Sequence, residues 1–344
     1  MLNPRYAFIS ACLKGEEAKT VTLEHIDRMM AAPNLQDALA IIRETGIGSY
    51  LEELPVKTFD DLDECLWRYL AQRINYVESF KFLPKDVLKV SKAYTVKWDV
   101  SNIKAALQGV ATGKKAPMIP IGTIHSSGLL DELSNAENVD DIAQLLVKCK
   151  LGDYAPALEQ YKTDKNTKSK FTAEAKLDGE YYRNMLNMAR KIKDGFVLAN
   201  AFGLVIDLTN LQITSRAIIE GIGLDAADLI IAGGYRITDK TLKELLTLKI
   251  ADIPARLDDT QYQDIANEVS ANYDKTKTIA AVDEIIDKHK FRMLKEMLSP
   301  RVLSPLVMAW YLVLKEVEIR NLRLILKTIV DGGSVQEIKN YLVF

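Results

Sequence analysis

Three short stretches with one shared pattern decide the fold: Trp98-Asp99-Val100-Ser101-Asn102-Ile103, Ile206-Asp207-Leu208-Thr209-Asn210-Leu211 and Val317-Glu318-Ile319-Arg320-Asn321-Leu322. Their acids, at positions 99, 207 and 318, lie 108 and then 111 residues apart. An acid and an asparagine three positions apart share one face of a helix, and the apolar neighbours can pack inward. We therefore predict three related helical copies, in each of which the acid and the asparagine hydrogen-bond a neighbouring backbone or side chain.

A second repeat supports the first, because residues 34–54 align without gaps on residues 138–158, at an offset of 104. The identical positions are Asn34 and Asn138, Asp37 and Asp141, Gly48 and Gly152, Tyr50 and Tyr154, and Leu54 and Leu158. The shared Gly-x-Tyr ending predicts a helix stop with its glycine in the left-handed conformation. A weaker third copy falls in residues 242–257, without the Gly and the Tyr. The period exceeds the roughly 20 to 50 residues of a solenoid unit and indicates whole-domain copies.

Long amphipathic helices precede the acid–asparagine stretches, and they predict an all-α fold. Apolar residues recur at i, i+3 and i+4 through residues 62–77, 177–192 and 282–297. The N-terminal segment supplies only the end of a copy and the C-terminal segment only the start. We therefore predict helical copies at 59–170 and 171–280, and a third formed by 1–58 together with 281–344. The polar run 161–170 is expected to be a solvated linker between copies.

Composition excludes several classes of protein. The 344 residues carry 45 basic and 47 acidic side chains, a net charge of −2 that disfavours nucleic-acid binding. The three cysteines, Cys12, Cys65 and Cys149, predict neither a disulfide framework nor a CxxC metal site. The longest apolar stretch, residues 302–314, is interrupted by Ser304-Pro305 and is too short to span a membrane. No signal segment opens the chain, so we expect a non-exported protein whose membrane role is peripheral.

Signals for catalysis or cofactor binding are weak. The histidines, His25, His125 and His289, are far from one another and from any cysteine, so no metal ligand pair is apparent. The run 109–115 lacks the spacing of a phosphate-binding loop, and a helix C-terminal turn is expected instead. We expect no catalytic residue, metal or cofactor, and a structural role for Asp99, Asn102, Asp207, Asn210, Glu318 and Asn321. An enzyme using Asp99 or Asp207 in a helical pocket stays open as an alternative.

The C-terminal run Glu318-Ile-Arg-Asn-Leu-Arg-Leu-Ile325, the Lys97-Trp98-Asp99-x-x-Asn102 segment, the Gly-x-Tyr endings and the three-copy plan together resemble one family. It comprises the C subunits of archaeal-type (A-type) rotary ATP synthases and the d subunits of eukaryotic V-type ATPases. The resemblance covers residues 4–344. It implies an all-α funnel of three similar helical domains around a pseudo-threefold axis, without an active site of its own.

The resemblance also implies partners and a location. A protein of this family sits peripherally on the cytoplasmic face of the cell membrane, on the rotor ring of proteolipid subunits. It receives the end of the central shaft, which the D and F subunits form, and possibly meets the membrane stator subunit. There it would transmit torque for ATP synthesis or hydrolysis coupled to proton or sodium ion transport. The helices alone would also permit the alternative of a helical-repeat scaffold that binds unrelated partners.

Overall fold

The computed structural model describes residues 4–53, 58–164, 166–192, 195–335 and 337–344. Within these ranges all regular secondary structure is helical, which confirms the predicted all-α fold class. Leu54, the last residue of the 34–54 repeat, and Lys165 of the predicted linker lie outside the described residues.

Eighteen α-helices follow one another along the described part of the chain. The first nine are α1 (Pro4–Glu17), α2 (Leu23–Met30), α3 (Leu35–Ile42), α4 (Gly48–Glu53), α5 (Phe59–Glu78), α6 (Lys85–Tyr94), α7 (Val96–Thr112), α8 (Thr123–Ser126) and α9 (Leu130–Ser134). The others are α10 (Val139–Lys148), α11 (Glu159–Thr163), α12 (Thr167–Ala189), α13 (Phe196–Ile219), α14 (Asp239–Leu245), α15 (Ile253–Arg256), α16 (Gln263–Thr276), α17 (Ala280–Leu298) and α18 (Leu306–Val330). Short 3₁₀ helices cover Gly152–Leu158, Gly223–Leu229, Ile250–Asp252 and Lys339–Tyr341.

The chain forms two compact units. Unit 1 comprises residues 1–88 and 291–344, and therefore contains both chain ends, whereas unit 2 comprises residues 89–290. The finer division into three copies stays a prediction.

Unit 1 is built on the packing of α5 and α1 against α18. The apolar stripe predicted for residues 62–77 is confirmed, because Leu62, Leu66 and Val77 of α5 are fully buried. On α18, Leu322 and Ile325 are also fully buried. Burying a leucine or isoleucine side chain stabilises a fold by about 1.5 to 3 kcal/mol, so each of these side chains contributes to the stability of the unit.

Unit 2 is built around α13, which packs against α12. Phe171 and Leu186 of α12 form one cluster with Ile206 and Ile213 of α13. In the described part of the chain α13 alone is long and apolar enough to cross a membrane, yet 72% of its apolar window is buried inside the protein. A helix that is apolar on all sides is expected in the core of a large domain. The prediction that residues 302–314 form the longest apolar stretch missed this helix.

The repeated asparagines begin helices. The Asn34 side chain accepts the backbone N–H of Asp37 at 3.0 Å at the start of α3, and Asn138 does the same for Asp141 at 3.0 Å at the start of α10. Asparagine is a favoured N-cap because its side-chain oxygen satisfies one of the free N–H groups of the first turn.

Two local predictions were wrong. Gly48 and Gly152 do not take the left-handed conformation; each is the first residue of a helical segment. Position 48 requires glycine for another reason, because a Cβ there would clash with the carbonyl oxygen of Arg43. The run 161–170 is not a solvated linker at its ends, since Tyr161 is only 2% exposed and Ser169, in the first turn of α12, only 1%.

Candidate functional site

The three predicted asparagines make the same contact in three places. Each side chain donates from Nδ2 to the carbonyl oxygen of one residue and accepts that residue's N–H at Oδ1, over distances of 2.7 to 3.1 Å. The pairs are Asn102 with Ile119, Asn210 with Ile231, and Asn321 with Val343. The receiving residues 119, 231 and 343 follow one another at intervals of 112.

These amides are buried, at 1%, 0% and 4% exposure for Asn102, Asn210 and Asn321. A primary amide can match the N–H and the C=O of one residue, so neither the side chain nor that residue's backbone is left unsatisfied. An unsatisfied buried group would cost about 1 to 3 kcal/mol. Each asparagine therefore fixes a chain segment that follows its own helix.

Asp99 on α7 binds the start of α8. Its Oδ2 accepts the N–H of Thr123 at 2.7 Å and its Oδ1 that of Ile124 at 2.9 Å. Gly122 precedes them at φ +108°, and a Cβ at this position would lie 2.5 Å from Asp99 Oδ1, so only glycine fits. Burial raises the pKa of Asp99 to about 6, while the two backbone N–H groups act in the opposite direction.

Asp207 on α13 repeats this arrangement with more donors. Its carboxylate accepts the N–H groups of Tyr235 at 3.0 Å and Arg236 at 2.7 Å, together with the Tyr262 hydroxyl at 2.7 Å. Gly234 lies 112 positions after Gly122 and has the corresponding role, because a Cβ at Gly234 would clash with Asp207 Oδ1. Burial raises the pKa of Asp207, and the hydrogen bonds from the Tyr262 hydroxyl and the backbone N–H groups oppose this rise.

Glu318 on α18 differs because its backbone donor comes from a part of the chain that is distant in sequence. Its Oε1 accepts the N–H of Val21, between α1 and α2, at 2.7 Å. The N-terminal segment thus supplies a donor corresponding to those that follow Ile119 and Ile231 along the chain. Burial raises the pKa of Glu318.

Lys315 provides the counter-charge for Glu318. Its ammonium donates to Glu318 Oε2 at 2.8 Å, to the Tyr69 hydroxyl at 2.9 Å and to Thr20 Oγ1 at 3.0 Å. The two charged side chains are each only 1% exposed. A buried ion pair is tolerated when further hydrogen bonds satisfy both ions, and here three acceptors surround the ammonium.

The rest of the C-terminal motif also makes contacts inside unit 1. Arg323 pairs with Asp63 on α5 and stacks over the Trp67 ring at 4.5 Å. Arg320 donates to the carbonyl oxygen of Tyr341 at 3.1 Å. These contacts hold α18 against α5 and against the C-terminal tail.

Other candidate residues are accounted for within the fold. Gly113 is the left-handed C-cap of α7 at φ +67°, which confirms the helix C-terminal turn expected for residues 109–115. His289 is 9% exposed, and its Nε2 lies 2.7 Å from Glu268 Oε2. Among the described residues, no group of three or more His, Cys, Asp or Glu side chains is placed to hold a metal ion.

The arrangement positions backbone rather than substrate. Asp99 and Asp207 have their oxygens directed at backbone N–H groups, and Glu318 is shared between an N–H and an ammonium. The sequence predicts all six acids and asparagines but not their partners. One signal was available, the Ile-x-x-Gly spacing at Ile119–Gly122 and Ile231–Gly234. No comparable pattern marks Lys315, Tyr69 or Thr20.

Comparison with known proteins gives one consistent result. The family model described as ATP synthase (C/AC39) subunit matches residues 9–341. The C subunit of the A-type ATP synthase of Methanocaldococcus jannaschii is 23% identical, over 98% of this chain and 86% of that protein. The C subunits of the A-type ATP synthases of Pyrococcus abyssi and Thermococcus kodakarensis are each 25% identical, over 97% and 98% of this chain and 89% and 90% of theirs.

Proposed function

The chain belongs to the ATP synthase (C/AC39) subunit family, and from this premise we propose that it is a non-catalytic subunit of the central rotor of an A-type/V-type rotary ATPase. The observation that carries the proposal is the extent of the family match, residues 9–341 of 344. Relatives named as C subunits of A-type ATP synthases align over nearly the whole chain as well. The proposal therefore concerns the whole protein rather than one part of it.

In this role the protein is a socket that links the central shaft to the membrane rotor ring. The recurring contacts of Asn102, Asn210 and Asn321 support three similar helical copies, which we propose surround a pseudo-threefold axis and a funnel-shaped cavity for the shaft. A spacer that transmits torque must resist deformation, and closely packed helices with satisfied buried polar groups have low compressibility. Such a part needs neither an active site nor a cofactor.

The proposed partners are the D and F subunits of the central shaft on one side and the ring of proteolipid subunits on the other, with the membrane stator subunit as a further neighbour. The protein would be held peripherally at the cytoplasmic face of the cell membrane through the ring. ATP synthesis or hydrolysis would then be coupled through it to proton or sodium ion transport.

Binding to the shaft tests this proposal directly. Purified full-length protein is mixed with the shaft heterodimer of the D and F subunits from the same organism and analysed by size-exclusion chromatography. We expect a complex of one copy of each chain, and no complex with an unrelated two-helix coiled coil of similar length. Folded protein that binds neither the shaft heterodimer nor the isolated ring would refute the proposed role.

A matched pair of variants shows whether the shaft requires the intact fold. Lys240→Ala changes a lysine that is 87% exposed at the side chain and should bind the shaft like the wild type. Asn210→Ala removes a buried amide and should lose binding only to the extent that it unfolds the protein.

A further inference from the structure

Unit 1 carries an exposed cluster of aromatic rings, which we call the aromatic surface: Phe8 on α1, Tyr76 on α5, and Phe80 and Phe82 after α5. The ring centroids of Phe8 and Phe80 are 6.4 Å apart, and those of Tyr76 and Phe80 are 5.1 Å apart, both edge to face. Phe82 follows Phe80 by two residues, in a turn closed by the Leu83 N–H on the Phe80 carbonyl oxygen at 3.1 Å. Phe8, Tyr76 and Phe80 therefore form one group of rings, and Phe82 lies two residues beyond it along the chain.

Two of these rings are not used by the fold. Phe8 is 59% exposed and Phe82 is 62% exposed, whereas Phe171 and Phe291 in the cores are 6% and 5% exposed. Leaving a phenylalanine in water forgoes most of the roughly 1.5 to 3 kcal/mol that its burial would supply. Exposed apolar clusters of this kind mark surfaces that bind something else.

The charged residues beside the rings indicate which kind of partner the aromatic surface binds. Lys81 and Lys85 flank Phe82, both are exposed, and neither forms an ion pair with a described residue. Asp86 is the exposed acid next to them. Protein–protein interfaces are depleted in lysine and prefer arginine with the aromatics. Lysine next to exposed phenylalanine is instead typical of membrane-interface segments, in which long lysine stems keep the ammonium at the headgroups.

We propose that the aromatic surface binds an anionic phospholipid bilayer. Phe8 and Phe82 enter the boundary between headgroups and acyl chains, and Lys81 and Lys85 lie against the lipid phosphates. The attraction is the sum of apolar burial and of the field of the anionic leaflet. This surface is additional to the shaft and ring contacts of the proposed function, and it requires neither of them.

Vesicle co-sedimentation of the full-length protein tests the proposal. We expect binding to vesicles of equal parts phosphatidylcholine and phosphatidylglycerol and little binding to phosphatidylcholine alone. Raising the salt to about 0.5 M should weaken the binding, because the charges then act over only a few ångströms. Binding to neither vesicle, or equal binding to both, overturns the proposal.

Variants locate the contact. Phe8→Ala with Phe82→Ala should lower the partition coefficient at least about a hundredfold if both rings are fully inserted, and Lys81→Ala should lower it about fivefold. Leu23→Ala, a similarly exposed apolar residue of unit 1 at 54%, should leave it unchanged. Lys327→Ala, which removes a lysine paired with Asp331 at 3.0 Å, should also leave it unchanged. Wild-type binding by the aromatic variant would overturn the proposal.

A fluorescent reporter provides a second readout. The native tryptophans, Trp67, Trp98 and Trp310, are at most 8% exposed, so Phe82→Trp adds the one exposed indole among the described residues. Its emission should shift to the blue with anionic vesicles and be quenched by brominated lipid. If the aromatic variants instead keep vesicle binding and lose the ring or the shaft, the surface is a protein interface and the lipid proposal is wrong. Loss of vesicle binding with intact shaft binding supports the lipid proposal.

Discussion

Replacing Lys315 by methionine should strongly destabilise unit 1. Methionine keeps much of the apolar length of the side chain but removes the ammonium that lies 2.8 Å from Glu318. Both side chains are only 1% exposed, so solvent cannot take over the role of the lost charge. Removing one partner of a buried ion pair costs about 3 to 5 kcal/mol. The Tyr69 hydroxyl and Thr20 Oγ1 also lose their shared donor.

The loss should depend on pH in a defined direction. Burial raises the pKa of Glu318, and Lys315 is the largest influence that opposes this rise. Without Lys315 the pKa in the folded state rises further, while in the unfolded chain it stays near about 4.3. A raised folded pKa of an acid contributes stability that is fully present below the unfolded pKa and is lost as the pH rises through the folded one. The deficit of Lys315→Met should therefore grow as the pH rises above the unfolded pKa of the glutamate.

Urea unfolding at several pH values measures both effects. Trp67 and Trp310 belong to unit 1 and report its unfolding by fluorescence. Lys327→Met is the matched control, because its ion pair with Asp331 is about half exposed and is worth less than about 1 kcal/mol. Adding Glu318→Gln to Lys315→Met should restore part of the loss. A loss below about 1 kcal/mol at pH 7, or one of equal size at low and high pH, would refute the reasoning.

The remaining predictions concern the acid–asparagine pairs of unit 2. Asn210→Ala should lower the free energy of unfolding by about 1 to 3 kcal/mol, because both polar groups of Ile231 lose their partner; an unchanged melting temperature with lost assembly would instead place Asn210 at an interface. Gly122→Ala should cost at least about 2 kcal/mol, from the positive φ and the clash with Asp99, while Gly15→Ala, with nothing within 4 Å of the added Cβ, should be neutral or stabilising in the same urea assay. Asp99, with its pKa raised to about 6, should make the wild type lose up to about 3 kcal/mol of stability as the pH rises from about 4 to 6.5. Asp99→Asn should flatten this slope, and an unchanged slope would contradict the assignment.

Helices could be predicted from the sequence because their signal is local. The apolar residues of 62–77 recur with a period that places them on one face only if the segment is a helix. In the structure this face of α5 is buried. The same holds for Asp99 and Asn102, whose three-residue spacing placed them on one face of α7. Their partners lie between 17 and 25 residues further on, and a hydrogen bond over that separation leaves no periodic trace.

Errors arose where a residue has more than one physical use. The Gly-x-Tyr pattern predicts a left-handed cap at Gly48, but glycine is also required where backbone approaches closely. At Gly48 the carbonyl group of Arg43 is the neighbour that excludes a Cβ. In the second copy the left-handed residue is Lys150, at φ +61°. Polar composition suggested a linker at 161–170, although Ser169 is polar because its side chain takes part in the capping box that begins α12.

Glu318 on α18 is stabilised differently from Asp99 and Asp207. Asp99 and Asp207 each accept N–H groups from a loop that continues beyond the residue held by their asparagine. For Glu318, the Val21 N–H is the one backbone donor among the described residues. One N–H cannot replace the several that stabilise the other two carboxylates, and a buried carboxylate without compensation is costly. Lys315, one turn earlier on the same helix face, supplies the missing compensation. Glu318, which stands where α7 and α13 carry an aspartate, and the buried Lys315 therefore act together, and replacing either one alone should destabilise unit 1.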